Sequence, residues 1–200
     1  MGQDDAPPQV RHRLADRLYH WSMAASVIAL GATAFLPMVG LRFDWVPIHW
    51  IAGVVLVAAV LFHLWRVFGV HGLRAMNPGP DDAREVLRRA AGRPLDGLAP
   101  AKYDALQKGM HLAAALAVLA ASGTGLVMLA KIDTTFWRRN PAILADQTWG
   151  VIYVVHGAAA MALLFLVLVH VYFALIPGHR AYLRAMLTGR GPELARKAQE

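Results

Sequence analysis

Residues 151–176 read VIYVVHGAAAMALLFLVLVHVYFALI, without a single Asp, Glu, Lys or Arg and with two histidines. About 20 helical residues cross a hydrocarbon core of about 30 Å. This stretch is therefore long enough to span a bilayer. Residues 18–39, 46–65 and 109–130 are equally free of charge and of comparable length. Helices are the expected form, because open strands would leave backbone groups unpaired in lipid. The runs are rich in Ala, Leu and Val without strict alternation, which argues against a barrel.

The whole chain agrees. It has 200 residues, 57% apolar and 16% charged, against about 25% charged in an average soluble chain. There is no cysteine, which excludes disulfides, iron–sulfur ligation, thiolate zinc sites and covalent haem attachment. The net charge of +7 does not point to nucleic acid, because the basic residues lie between apolar runs rather than on a soluble face. Sixteen of the twenty Lys and Arg fall in the N-terminal arm, the middle segment and the tail. Only Arg42, Lys131, Arg138 and Arg139 lie on the other side. The positive-inside rule then places both termini in the cytoplasm. Ala32-Thr33-Ala34 resembles a signal-peptide cleavage site, but the run continues apolar through Val39. The expectation is an all-α, integral membrane four-helix bundle, N-in and C-in. Residues 1–17 form a cytoplasmic arm, 18–176 the four-span domain, and 177–200 an interfacial tail. Between spans two and three, Asp81-Asp82 precede a short helix pattern over residues 83–91.

An ionisable group at membrane depth is a functional hypothesis by default. His156 and His170 are fourteen residues apart. At 100° and 1.5 Å per residue they leave one helical face, about 21 Å apart along the axis. Two imidazoles so placed suit two b haems, one per leaflet, each needing a second imidazole from a facing helix at its own depth. His49 opens span two level with His156, and His20 opens span one level with His170. His63 also lies fourteen residues after His49, so spacing leaves His20 and His63 both open as the partner of His170. Small residues follow the outer candidates, Gly53 after His49 and Gly157 to Ala160 after His156, giving a porphyrin room.

Five motifs narrow the choice: Arg13-Leu14-Ala15-Asp16-Arg17-Leu18-Tyr19-His20-Trp21, Ile48-His49-Trp50-Ile51-Ala52-Gly53, Lys102-Tyr103-Asp104-Ala105-Leu106-Gln107-Lys108, Val155-His156-Gly157 and Val169-His170-Val171-Tyr172. In this combination, from about residue 11 to 189, the chain resembles the cytochrome b (gamma) subunit of membrane-bound formate dehydrogenase. The resemblance implies two b haems, a periplasmic-side one on His49 and His156 and a cytoplasmic-side one on His20 and His170. His63 is then left to pack beside a ligand. It also implies menaquinone or ubiquinone reduced near the cytoplasmic haem, with Lys102, Tyr103, Gln107 and Lys108 near the quinone. Asp104 stands where that family usually has Asn, and a carboxylate can also take up a proton. His111, one turn into span three, is a candidate propionate or quinone contact. The implied partners are an iron–sulfur subunit and a molybdenum or tungsten catalytic subunit, in the bacterial inner membrane, with a higher-order oligomer of the complex also open. A nickel–iron hydrogenase cytochrome b would share this histidine scheme. A haem-free transporter or assembly protein would use the histidines for proton relay or packing.

Overall fold

A computed structural model describes residues 9–10, 12–71, 79–94 and 105–191. In chain order the elements are β1 (Gln9–Val10), α1 (Leu14–Phe35), α2 (Trp45–Arg66), α3 (Pro80–Ala90), α4 (Ala105–Met128), α5 (Asp146–Leu175), α6 (Arg180–Thr188) and β2 (Arg190–Gly191). Among the described residues the fold is all-α apart from a two-residue antiparallel pairing of β1 with β2. Helices α1, α2, α4 and α5 are each long and apolar enough to cross a membrane. Lys102, Tyr103 and Asp104 lie outside the described residues.

The helices overrun the apolar limits read from the sequence. Helix α1 starts four residues before position 18, and α5 starts five before 151. Their first turns hold Asp16 and Asp146, where the positive end of the helix dipole favours a carboxylate. The stops are chemical. Pro37 cannot continue α1, and the chain turns through Pro37–Val39 to Gly40 at φ +95°, a left-handed conformation suited to glycine. Helix α5 ends as Ile176 becomes extended before Pro177. Helix α3 starts at Pro80, earlier than the pattern over 83–91 suggested, with Pro80 in its first turn and Gly79 as N-cap.

Most large apolar side chains on the four long helices are exposed, among them Leu61, Val154, Phe165 and Leu168. In water this would be an aggregation surface; in lipid it is the solvent-facing surface. Beside Leu56 and Val118, several inward positions are small or hydroxyl-bearing, including Ala117, Ala159, Ser26 and Thr33, as close helix packing in lipid favours. Helix α1 packs along α2 and α4 along α5, whereas close backbone approaches between these two hairpins are sparse and run mainly from α2 to α4. A seam thus separates two hairpins.

At the end of the bundle that carries both termini, the start of α1 is fastened to its neighbours. Arg17 donates from Nε to the Met186 carbonyl at 3.1 Å and from Nη2 to the Leu187 carbonyl. Trp21 Nε1 donates to the same Met186 oxygen at 3.3 Å. These are carbonyls of the last turn of α6, which have no partner within their own helix. Asp16 meets Arg66 of α2 at 2.5 Å. At the far end Trp149 is almost fully buried (1% exposed), donates to the Pro141 carbonyl at 2.8 Å and lies under the Lys131 ammonium.

Candidate functional site

Three pairs of imidazoles meet across the seam. His20 of α1 faces His170 of α5 with ring centres 6.2 Å apart and planes 58° to each other. His49 of α2 faces His156 of α5 at 6.3 Å and 65°. His63 of α2 faces His111 of α4 at 6.2 Å and 68°. His63 therefore lies against His111, and against Tyr19, on which it stacks at 5.0 Å; it is His20 that lies against His170. Each pair draws one member from each hairpin.

The spacing has a chemical meaning. Two imidazoles on opposite sides of one metal ion, each nitrogen about 2 Å from it, hold their ring centres about 6 Å apart. Direct N–H···N bonding would draw the centres to about 5 Å. The far-end pair is also fixed in tautomer. Thr33 Oγ1 donates to the Ala29 carbonyl at 2.7 Å and lies 2.8 Å from His49 Nδ1. With its proton given to the carbonyl, the hydroxyl accepts from Nδ1–H, leaving the lone pair on Nε2. His156 repeats the device: Nδ1 lies 3.1 Å from the Ala121 carbonyl, which can only accept, and 3.0 Å from Thr124 Oγ1, itself bonded to the Ala120 carbonyl at 2.6 Å. A ligating histidine needs this arrangement, with its other nitrogen donating to a fixed acceptor. A Cβ on Gly125 would come within 3.3 Å of His156 Cε1, so glycine there makes room for the ring.

The donor set fits haem. Among the described residues no cluster of three His, Asp or Glu could hold a bare ion, and each pair supplies only two nitrogens. Haem iron, already held by its porphyrin, would need only the two imidazoles that a pair supplies. Ser122 Oγ, on the same helix as Thr124, is a buried hydroxyl with no hydrogen-bond partner among the described residues.

The other candidates are placed as follows. Lys108 holds Asp82 of α3, with its ammonium 2.9 and 3.0 Å from the two carboxylate oxygens. Gln107 is exposed at the start of α4. His111 is one half of the third imidazole pair. Asp82 also accepts from the Gly79 backbone N–H at 2.6 Å. That bond first, and then the Lys108 ammonium, hold its carboxyl below the usual carboxylate range. Thr33, Thr124 and Gly125 are contributors that charge counting and histidine spacing passed over, and Arg17 and Asp16 stood only as members of the motif before His20. The one signal for the first three was a hydroxyl or a glycine inside an apolar run.

A four-helix membrane protein whose paired imidazoles cross a seam between two hairpins is built as a b-type cytochrome. The chain belongs to the prokaryotic cytochrome b561 family, whose model matches residues 11–189. It is accordingly a haem b-binding, multi-pass protein of the bacterial inner membrane, of a kind that transfers electrons together with other redox subunits. No curated protein matches the chain.

Proposed function

We propose that this chain is a membrane-anchoring di-haem subunit that takes electrons from a periplasmic iron–sulfur partner of formate dehydrogenase type and delivers them to a quinone near the cytoplasmic side. The observation that carries the reading is the pairing of His49 with His156 and of His20 with His170 at 6.3 and 6.2 Å, at opposite ends of one helix, α5. Haem, when bound, supplies reversible one-electron redox chemistry between each pair.

The protein's own part is positioning. Thr33 and the Ala121 carbonyl present the Nε2 lone pairs of His49 and His156. Arg17 and Trp21 tie the start of α1 to α6, which follows α5, and so keep His20 beside His170. The exposed apolar faces of the four helices shield the seam with lipid. The excess of Lys and Arg at the termini end supports the N-in, C-in orientation. Charge moved from the far end to the termini end then crosses the membrane potential, worth about 2.3 kcal/mol per charge per 100 mV. A partner docks at the far end, around residues 40–47 and 131–149. The quinone lies at the termini end, where α4 begins; the resemblance assigns Lys102, Tyr103 and Gln107 to it, with Asp104 in place of the family's usual Asn. Iron–sulfur clusters must come from the partner, because the chain has no cysteine.

A nickel–iron hydrogenase as donor is the second reading, equally accommodated by the family. Purification in mild detergent with mass spectrometry of the accompanying subunits tests both. Haem reduction by formate in the purified complex, with a molybdenum or tungsten subunit present, is expected. Reduction by hydrogen alone would replace the first reading with the second, and a preparation without a b-type α band on dithionite addition would end both.

A further inference from the structure

We infer that Lys131 binds a propionate carboxylate of the haem held by His49 and His156, and so fixes which edge of that macrocycle faces the far end. The inference takes from the proposed function only that this pair holds a haem. A haem brings two carboxylates into the bundle as well as its iron. A charge is costly at membrane depth and far less so near the surface. The carboxylate edge therefore turns toward the nearer surface, which for this pair is the far end. The chain has to offer a cation just outside His156.

Lys131 stands at that level. His156 and Trp149 are seven residues apart, so they share a face of α5 with Trp149 about 10.5 Å nearer the far end. On the facing helix Thr124 touches His156 at 3.0 Å. Seven residues past Thr124, in the short turn that closes α4, the Lys131 ammonium lies 4.6 Å from the Trp149 ring centre. It is also 5.2 Å from the ring centre of Tyr153, one turn outside His156. The cation is thus held between one and two turns outside the imidazole, on the helix pair that carries it.

Its surroundings leave a charge to be met. Of the four cations at the far end, Arg42, Arg138 and Arg139 are exposed, and Lys131 alone is half-buried. Trp149 beneath it is fixed by burial and by its bond to the Pro141 carbonyl, and the Trp149 and Tyr153 rings stack on each other. Aromatic faces attract an ammonium but do not neutralise it. Among the described residues no carboxylate pairs with Lys131; Asp133, two residues on, meets Arg139 at 3.9 Å instead. An ammonium has three N–H donors, which a carboxylate accepts.

The test is haem loss to apomyoglobin from the purified protein, loaded with haem or with haem dimethyl ester, whose propionates carry no charge. The far-end haem is the one missing from His156→Ala. Lys131→Met is expected to release native haem from that site about tenfold faster, within the range for removing an outer partner of a bound metal group. It should release the dimethyl ester at the rate of the unaltered protein. Lys131→Arg, which keeps the charge, should stay close to the unaltered protein with both. Arg138→Met, the same charge change at an exposed position, should alter neither rate. Redox titration gives a second readout, because a positive charge near the iron favours the added electron. Lys131→Met should lower the far-end reduction equilibrium constant about tenfold, or about 59 mV for one electron, with the His20–His170 haem unmoved. Native haem and its ester lost equally from Lys131→Met would make Lys131 a packing residue and overturn the inference. A Lys131→Met protein indistinguishable from the unaltered one, or from Arg138→Met, would overturn it too, while leaving the proposed function intact. No far-end haem in the unaltered protein would overturn the reading of His49 and His156, and this inference with it.

Discussion

Thr33 Oγ1 lies 2.8 Å from His49 Nδ1 while giving its own proton to the Ala29 carbonyl 2.7 Å away. One hydroxyl thus joins a turn of α1 to the first turns of α2 and decides which nitrogen of His49 faces His156. Thr124 stands in the same relation to His156, but there the Ala121 carbonyl also holds Nδ1. The two threonines are therefore not equivalent. Outer partners of metal-ligating histidines typically change metal affinity about 10- to 100-fold. Thr33→Val is expected to weaken far-end haem retention by that order and Thr124→Val by less, measured as haem loss to apomyoglobin. Equal effects would contradict the backup role of the Ala121 carbonyl.

Gly125 answers to the same site through space. Its absent Cβ would stand 3.3 Å from His156 Cε1, so Gly125→Ala displaces the imidazole slightly and Gly125→Leu displaces it outright. Haem content at the far end should fall in that order, with the His20–His170 site kept. Loss of haem from both ends alike would assign Gly125 to general helix packing instead.

Arg17 acts on the opposite end. Its guanidinium bonds two carbonyls of α6, and hydrogen bonds from a charged group contribute about 1.5–3 kcal/mol. Gly189 beside it has φ +82°, with the Arg17 guanidinium and the His12 carbonyl within about 3 Å of where a Cβ would stand. Arg17→Ala is expected to lower stability by about 1–3 kcal/mol and to broaden the spectroscopic signature of the His20–His170 site while leaving that of His49–His156 unchanged. Redox titration followed optically separates the two.

Asp82 gives a pH dependence. Its folded carboxyl is held below the ordinary value by the Gly79 N–H and Lys108, so the tie between α3 and α4 is fully present above the unfolded aspartate value. It is lost as the pH falls through the lowered folded value. Amide exchange in α3 should accelerate only below about pH 4, near the ordinary aspartate value, and Asp82→Asn should remove that step. An unchanged acid profile in Asp82→Asn would show that another group sets it.

The spans were legible because lipid imposes a composition, and no soluble core would leave four such stretches uncharged. Their ends were less so. Asp16 and Asp146 belong to first helical turns, where the dipole welcomes a carboxylate, and counting apolar residues stops short of them. The fourteen-residue repeats marked which histidines share a face, but they could not say which hairpin packs against which. That is why His20 and His63 were indistinguishable as partners for His170, and why His111 gave no sign of facing His63. Arg17 and Asp16 stood in the motif leading to His20, but nothing in the sequence showed that each fixes the helix carrying His20 to a different neighbour.

Electron paramagnetic resonance of the oxidised protein tests the bis-imidazole pairs most directly. The structure predicts low-spin ferric signals of strongly anisotropic type, because the paired planes stand 58° and 65° apart. The far-end signal should vanish in His156→Ala and the termini-end signal in His170→Ala. High-spin iron in the unaltered protein, or both signals kept at full strength in His156→Ala or in His170→Ala, would contradict those ligands.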